Sequence, residues 1–314
     1  MQSKLLVIGS VAYDSIITPF NKIDKALGGS GSYFSLASRF FTSSSLVGVV
    51  GNDFKKSDIA ILKKYADISG LSVAKGKTFH WAGKYSFDLN SRETLKTELG
   101  VFANFKPKLS DAQKKADYLF LGNIHPELQL EVLEQIKSTG WQTKFIGLDT
   151  MNYWMDTALN DLKKVLKKVD CLIINDSEAR QLSGQHNLLK AAKGIMGMME
   201  DRVKRQELRV KTLIIKRGEY GLLMFNRDYI FNLPGFPLED VIDPTGAGDS
   251  FAGGFMGYLA KTNDLSWNNL KQACVIGSVI ASFSVEQLGT KGLLNITNKK
   301  LNQRIKDFKS LANF

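Results

Sequence analysis

The chain has 314 residues, 44% of them hydrophobic and 23% charged, and a formal charge of +11. That composition suits a soluble globule with a substantial core and excludes a disordered or low-complexity chain. The apolar run at residues 5–8 is too short for a signal peptide or a membrane span, and the lysines lie scattered along the polar sides of amphipathic segments, which argues against a nucleic-acid patch. Cys171 and Cys274 each sit inside an apolar run, so buried reduced thiols and a reducing, cytoplasmic compartment are expected. The three histidines and two cysteines show no metal-ligand spacing.

Residues 4–9 read as a buried strand. Asp14 would fall just past its end, at the edge where open α/β sheets bind ligands. There it could accept two hydroxyl protons of a polyol, or simply form a turn. Gly28-Gly29-Ser30-Gly31 leads into a helix over 33–41, and its bare backbone either admits a ligand or makes a tight turn. A strand at 46–50 and a helix at 53–65 continue the alternation that implies a mostly parallel sheet. Residues 73–105 interrupt it. Residues 78–88 alternate at period two, 89–92 turn, and 93–99 return. Such a β excursion is an edge hairpin, a dimerisation ribbon, or a lid that excludes water. Phe79, Trp81, Tyr85 and Phe87 on it either line a ligand or pack on the main domain.

Strands at 118–122, 144–148, 171–174 and 212–215 then alternate with helices near 127–136 and 175–182. A hairpin over 222–225 and 228–231 and helices at 267–283 and 298–311 follow. Polar residues recur at strand ends: Asp14, Asn123, Asp149, Asn175 and Lys216. Asn175 and Glu178 fit a capping box, and equally could hold a hydrated Mg²⁺ against phosphates. The turn carrying Gly218 and Gly221 could admit nucleotide phosphate or close a hairpin.

The most informative stretch is residues 241–257. Gly246, Ala247 and Gly248 stand where a loop becomes a helix, with Thr245 as a fair N-cap. First-turn amides have no helical partner, and side chains this small let an anion reach them. Asp249, in the same turn, can act as a base toward an attacking hydroxyl. Gly253, Gly254 and Gly257 are best explained by close helix packing. A nicotinamide enzyme would need Gly-x-Gly-x-x-Gly after an early strand, and a P-loop enzyme Gly-x-x-x-x-Gly-Lys-Ser/Thr; both are absent. A non-catalytic sensor of sugars or nucleotides could use the same cleft, but would not need Asp249 as a base.

Asp243-Pro-Thr-Gly-Ala-Gly-Asp249-Ser-Phe-Ala-Gly-Gly resembles the C-terminal signature of the ribokinase, or PfkB, family of carbohydrate kinases. Gly28-Gly29-Ser30-Gly31 resembles its N-terminal signature, Asn175-Asp-Ser-Glu178 its magnesium and phosphate motif, and Lys216-Arg-Gly218-Glu-Tyr-Gly221 its nucleotide-contacting turn. The resemblance covers nearly the whole chain. It implies a single ribokinase-like α/β domain over 1–314, a three-layer sandwich with a mostly parallel central sheet and a small β-sheet lid from about 11–26 and 73–105. It implies ATP as donor, Mg²⁺ held through water by Glu178, Asp249 as base and the 246–248 amides as anion hole. Asp14, Gly28, Gly29 and Asn123 would contact the acceptor, and Asn175, Glu178, Lys216, Gly218 and Gly221 the ATP. Asp243 and Thr245 sit where some members bind a monovalent cation such as K⁺. Some members also dimerise through their lids. The N-terminal signature usually has Asn where this chain has Tyr33, so Tyr33 is a candidate substrate contact that disfavours ribose and leaves room for a nucleoside base. A sugar or sugar derivative is the first reading of the acceptor and a nucleoside the second.

Overall fold

The computed structural model describes residues 4–200 and 211–311. The chain opens with β1 (Leu5–Ile8), β2 (Ala12–Ile17), β3 (Lys22–Gly28), α1 (Ser30–Ser38), β4 (Ser44–Gly51), α2 (Lys56–Tyr65) and β5 (Asp67–Ala74). A hairpin of β6 (Phe79–Tyr85) and β7 (Arg92–Glu98) follows. Then come β8 (Tyr118–Leu121), α3 (Pro126–Lys137), β9 (Phe145–Asp149), α4 (Asn152–Thr157), α5 (Leu159–Lys168), β10 (Cys171–Asn175), α6 (Asp176–Ser183), α7 (Leu188–Met199) and β11 (Thr212–Lys216). The remaining elements are β12 (Leu222–Phe225), β13 (Ile230–Leu233), α8 (Ala247–Thr262), α9 (Trp267–Ser284), α10 (Lys291–Leu294) and α11 (Asn298–Leu311).

The large sheet has the order β13-β12-β11-β10-β9-β8-β1-β4-β5, and β3-β2-β6-β7 form a separate small sheet. From β11 to β5 every neighbouring pair is parallel; β12 and β13 run antiparallel at one edge. The parallel strands are almost continuously apolar because both of their faces are covered. In β1, Leu5 and Val7 enter one core layer while Leu6 and Ile8 enter the other; in β8, Tyr118 and Phe120 oppose Leu119 and Leu121. The first layer is completed by Phe34 of α1, Phe255 of α8 and Ile280 of α9, the second by Val132 of α3, Leu162 of α5 and Ile195 of α7. Helices thus cover both faces of the central sheet, as the resemblance implies. Both cysteines are free and buried. Among the described residues no helix is long and apolar enough to cross a membrane.

The structure departs from the sequence reading at the lid. Asp14 lies in β2, paired with Ala26 of β3 and Trp81 of β6, not in a loop at the end of β1. The chain leaves the large sheet at Gly9 and enters the small one three residues later. Residues 73 and 74 belong to β5, which pairs with β4 in the large sheet, so the second lid segment begins only at β6. β3 and β5 are mostly exposed or half-exposed and carry little apolar alternation, which leaves no periodic signal. The second strand of the last hairpin starts at Ile230, two residues later than the pattern suggests.

Candidate active site

The tip of α8 is built by Gly246, which is the N-cap at φ 73°. Thr245 is not the cap: its hydroxyl lies 3.0 Å from that of Tyr85 in the lid. Left-handed backbone suits glycine, and here space demands it as well, since a Cβ on Gly246 would lie 2.4 Å from the Tyr33 ring. The Ala247 amide donates to the Pro244 carbonyl at 3.2 Å. The amides of Gly246, Gly248 and Asp249 have no hydrogen-bond acceptor among the described residues. The open donor array is therefore shifted along the chain relative to residues 246–248, and the positive end of the helix dipole lies behind it.

Asp249 stands in this turn, and its pKa is pushed up to about 7. Burial is the main cause, followed by the Asp149 carboxylate; Lys216 and Arg92 act in the opposite direction. Lys216, at the end of β11, places its Nζ 2.6 Å from where a Cβ on Gly248 would stand, so its cation lies against the helix tip. Glu178 is likewise raised to about 7 by burial and then by Asp149, and Asp149 is itself raised by burial. Three carboxyl groups from β9, α6 and α8 therefore share one lysine. In the sequence Asp149 is only one of several strand-end polar residues.

Asp14 is buried against the start of α1. A Cβ on Gly28 would lie 2.0 Å from Asp14 Oδ2, so only glycine allows this approach. Burial raises Asp14 to about 7, and the Gly29 amide partly offsets that. Gly29 has φ 89°, and a Cβ there would meet the Ser10 carbonyl at 2.5 Å. Tyr33 is fully buried, and its hydroxyl has no hydrogen-bond partner among the described residues. Burial and the charges of Asp14 and Asp243 hold its phenol well above the ordinary value, which places it among the acids.

Asn123, just after β8, accepts a hydrogen bond from Trp154 Nε1 at 2.8 Å. Trp154 meets His125 and Tyr153 edge-on, each at 4.9 Å between ring centroids. This aromatic group stands at the ends of β8 and β9. Trp154 and Tyr153 go unnoticed in the sequence because they follow a strand end without any motif.

At the end of β10, Asn175 and Glu178 form a true capping box: the Glu178 amide donates to Asn175 Oδ1 and the Asn175 amide to Glu178 Oε2, each at 2.8 Å. Capping thus uses one oxygen of Glu178. Gly221, at φ 80°, closes the β11–β12 turn; a Cβ there would lie 2.0 Å from the Leu233 carbonyl. Gly218, at φ 58°, is open, and Asn90 Oδ1 of the lid turn lies 3.5 Å from its would-be Cβ. Asp243 accepts the amides of Thr245 at 2.9 Å and of Gly289 at 2.7 Å, which braces the loop before α8. Among the described residues there is no group of three or more His, Cys, Asp or Glu side chains that could hold a metal.

The lid aromatics divide by use. Phe79 stacks on Phe102 at 5.4 Å, Tyr85 reaches Thr245, and Phe87 is 81% exposed. Trp81 packs its six-membered ring against Gly83, where a Cβ would come 2.2 Å from it.

An α/β sheet whose late helix offers bare amides beside a raised carboxyl group has the groups that phosphoryl transfer to a small molecule would need. The chain belongs to the pfkB family of carbohydrate kinases, whose domain matches residues 2–296. It is 28% identical over 275 residues to the cytidine kinase of Thermococcus kodakarensis, covering 83% of this chain and 90% of that one. The nucleoside kinase of Burkholderia thailandensis, solved with inosine, superposes with a TM-score of 0.76 at 18% identity, covering 98% of this chain and 99% of that one. An E. coli protein assigned as a ribokinase II, solved with ATP and Mg²⁺, gives a TM-score of 0.76 at 19% identity over the same shares.

Proposed function

We propose that this kinase transfers the γ-phosphate of ATP to a hydroxyl of a nucleoside. The observation that carries the reading is Asp249, a base with its pKa near 7, in the same helical turn as the unpartnered amides of Gly246, Gly248 and Asp249. The acceptor oxygen attacks the γ-phosphorus as its proton passes to the Asp249 carboxylate. The bond from the γ-phosphorus to the bridging oxygen breaks, and ADP leaves with that electron pair. The free amides and Lys216 take up the charge on the moving group. Asp14, with Gly28 and Gly29, holds the acceptor, and the unpartnered Tyr33 hydroxyl offers it a further polar contact.

The aromatic group of Trp154, His125 and Tyr153 beside Asn123 supports a nucleobase on the acceptor. The likeness to a cytidine kinase points the same way. A free sugar is the second reading, because the two oxygens of Asp14 suit neighbouring hydroxyls whether or not a base is attached.

ATP would lie along Asn175, Glu178, Lys216, Gly218 and Gly221. The donor set fits Mg²⁺: Asp149, buried, and Glu178, partly buried, are oxygen donors short of positive charge, and too few to cage an ion without water and phosphate. Bound there, Mg²⁺ supplies charge neutralisation to the phosphates. For a monovalent cation such as K⁺, Asp243 and Thr245 remain the proposed ligands, with each Asp243 oxygen already accepting one amide. A homodimer through the lid is also proposed; β7 is exposed along its whole length, and light scattering in solution tests it.

The deciding experiment measures ADP release over cytidine, other nucleosides, ribose and hexoses. Nucleosides well ahead of free sugars are expected. Ribose or a hexose ahead overturns the nucleoside reading, and no ADP above background with any acceptor favours the sensor.

A further inference from the structure

Asn123 follows β8, and the residue before it abuts the start of α1: a Cβ on Gly122 would lie 3.0 Å from Ser30 Oγ. One end of the Asn123 side chain is already committed, because Trp154 Nε1 donates to its Oδ1 at 2.8 Å. An indole N–H can only donate, so turning the carboxamide over would set two N–H groups against each other. The NH₂ end therefore faces away from Trp154. Asn123 is partly exposed, and no described residue accepts from its Nδ2. The loops that carry the pair are pinned as well. The fully buried Gln129 donates to the Gly122 carbonyl at 2.9 Å and to the Asp149 carbonyl at 3.4 Å, which ties the end of β8 to the end of β9. His125, edge-on to Trp154, is held by its own Nδ1, which accepts the Glu127 amide at 3.1 Å.

We infer that Trp154 is a positioning residue for acceptor choice: by holding Asn123 Oδ1 it makes Asn123 present an N–H donor alone, which selects a nucleobase bearing a ring carbonyl or a bare ring nitrogen. The inference rests on the nucleoside reading above. The selectivity follows from what each partner can do. A sugar hydroxyl both donates and accepts, so it bonds either end of a carboxamide and is indifferent to the orientation of Asn123. A base carbonyl only accepts, and meeting Oδ1 would leave two desolvated acceptors opposed. A site built to hydrogen-bond one polar group rejects a ligand without it more sharply than apolar contact does. The donor is also fixed before the ligand arrives, so binding loses little side-chain freedom there.

The test takes the nucleoside that the wild type turns over best, and phenyl riboside as a competitor that keeps the ribose and an aromatic ring but has no polar ring atom. KM, kcat and the inhibition constant of the competitor are measured for the wild type, Trp154→Phe, Asn123→Ala and the double variant. Trp154→Phe keeps a ring and loses the N–H; it should raise the nucleoside KM about tenfold, the weight of one hydrogen bond, with kcat within about threefold. The inhibition constant of phenyl riboside should stay within about twofold. Asn123→Ala should raise the nucleoside KM at least as much, and adding Trp154→Phe to it should change nothing further, because Trp154 acts through Asn123. An unchanged nucleoside KM in Trp154→Phe overturns the assignment, as does an equal loss for both ligands or a Trp154→Phe effect that persists without Asn123. Asn123→Ala alone also decides: if it keeps the preference for the nucleoside over phenyl riboside, the donor is not what selects the base. A wild type that turns over free sugars and no nucleoside would instead overturn the nucleoside reading.

Discussion

The Tyr85 hydroxyl lies 3.0 Å from Thr245 Oγ1, so the lid is tied to the residue next to the cap of α8. Both groups are buried, and the bond spans 160 residues of sequence. Tyr85→Phe removes it. A neutral bond of this kind is worth about 0.5–1.5 kcal/mol, enough to shift lid closure by about twofold to thirteenfold. Turnover should fall by a similar factor, and ATP hydrolysis without acceptor should rise as water enters. Unchanged acceptor-free hydrolysis would show that this tie does not govern water access.

Asp249→Asn keeps the shape of the helix tip but cannot take a proton. Turnover should fall by about 10²–10⁴-fold, the usual weight of a positioned base, while ATP affinity stays within a few fold. The same variant should melt higher at pH 8 than the wild type, because a buried charge is gone. Near-normal turnover would remove Asp249 from the mechanism.

The pH dependence follows from the raised carboxyls. Asp249 must be ionised to accept a proton, so kcat/KM should rise with pH through about 7 and then level. Asp149→Asn should move that limb to lower pH, since the Asp149 charge raises Asp249. For stability the sign is opposite. Asp14, Glu178 and Asp249 titrate near 7 when folded, well above their unfolded values of about 4. The folded state therefore holds more protons between those limits, and the ligand-free protein should lose stability as pH rises from about 4 to about 7 and change little above. Urea midpoints across that range check it; a rise would contradict the burial of these groups.

Gly246 and Gly140 separate strain from collision. Both have left-handed φ, 73° and 71°, but a Cβ on Gly140 meets nothing within 4 Å while one on Gly246 strikes Tyr33. Gly140→Ala should cost about 1 kcal/mol and leave turnover intact. Gly246→Ala should cost more and abolish most turnover, read from unfolding curves and an ADP assay side by side.

The parallel core is legible in the sequence because doubly covered strands leave unbroken apolar runs, and the α8 tip is legible because its chemistry lies in consecutive residues. Where a function is split between distant segments, the signal fades. Arg92 reads as part of a turn, although it opens β7 opposite Tyr85. Asp14 is noticed as a ligand candidate but assigned to the wrong element, because β3 shows too little alternation to reveal the β2–β3 hairpin that carries it. α4, α5 and α7 are not assigned in the sequence for a different reason: they lie between strands where any helix would serve, and the one side-chain cap among them, Asn187 before α7, stands in no recognisable motif. The Asn175–Glu178 pair shows that two explanations of one motif need not compete, since the capping bonds hold the very carboxylate proposed to work through water on a metal.

Gly253 and Gly257 bring α8 directly onto α1: a Cβ on Gly253 would lie 2.4 Å from the Phe34 carbonyl, and one on Gly257 3.0 Å from Ser38 Cα. Backbones this close cannot slide without losing van der Waals contact along their whole length. The start of α1, where the acceptor is proposed to bind, and the start of α8, where the phosphate is proposed to bind, are therefore held as a single anvil. On the reading proposed above, changes of acceptor would fall on the small sheet and the loops after β8 and β9, while the distance between the two helix tips stays the same.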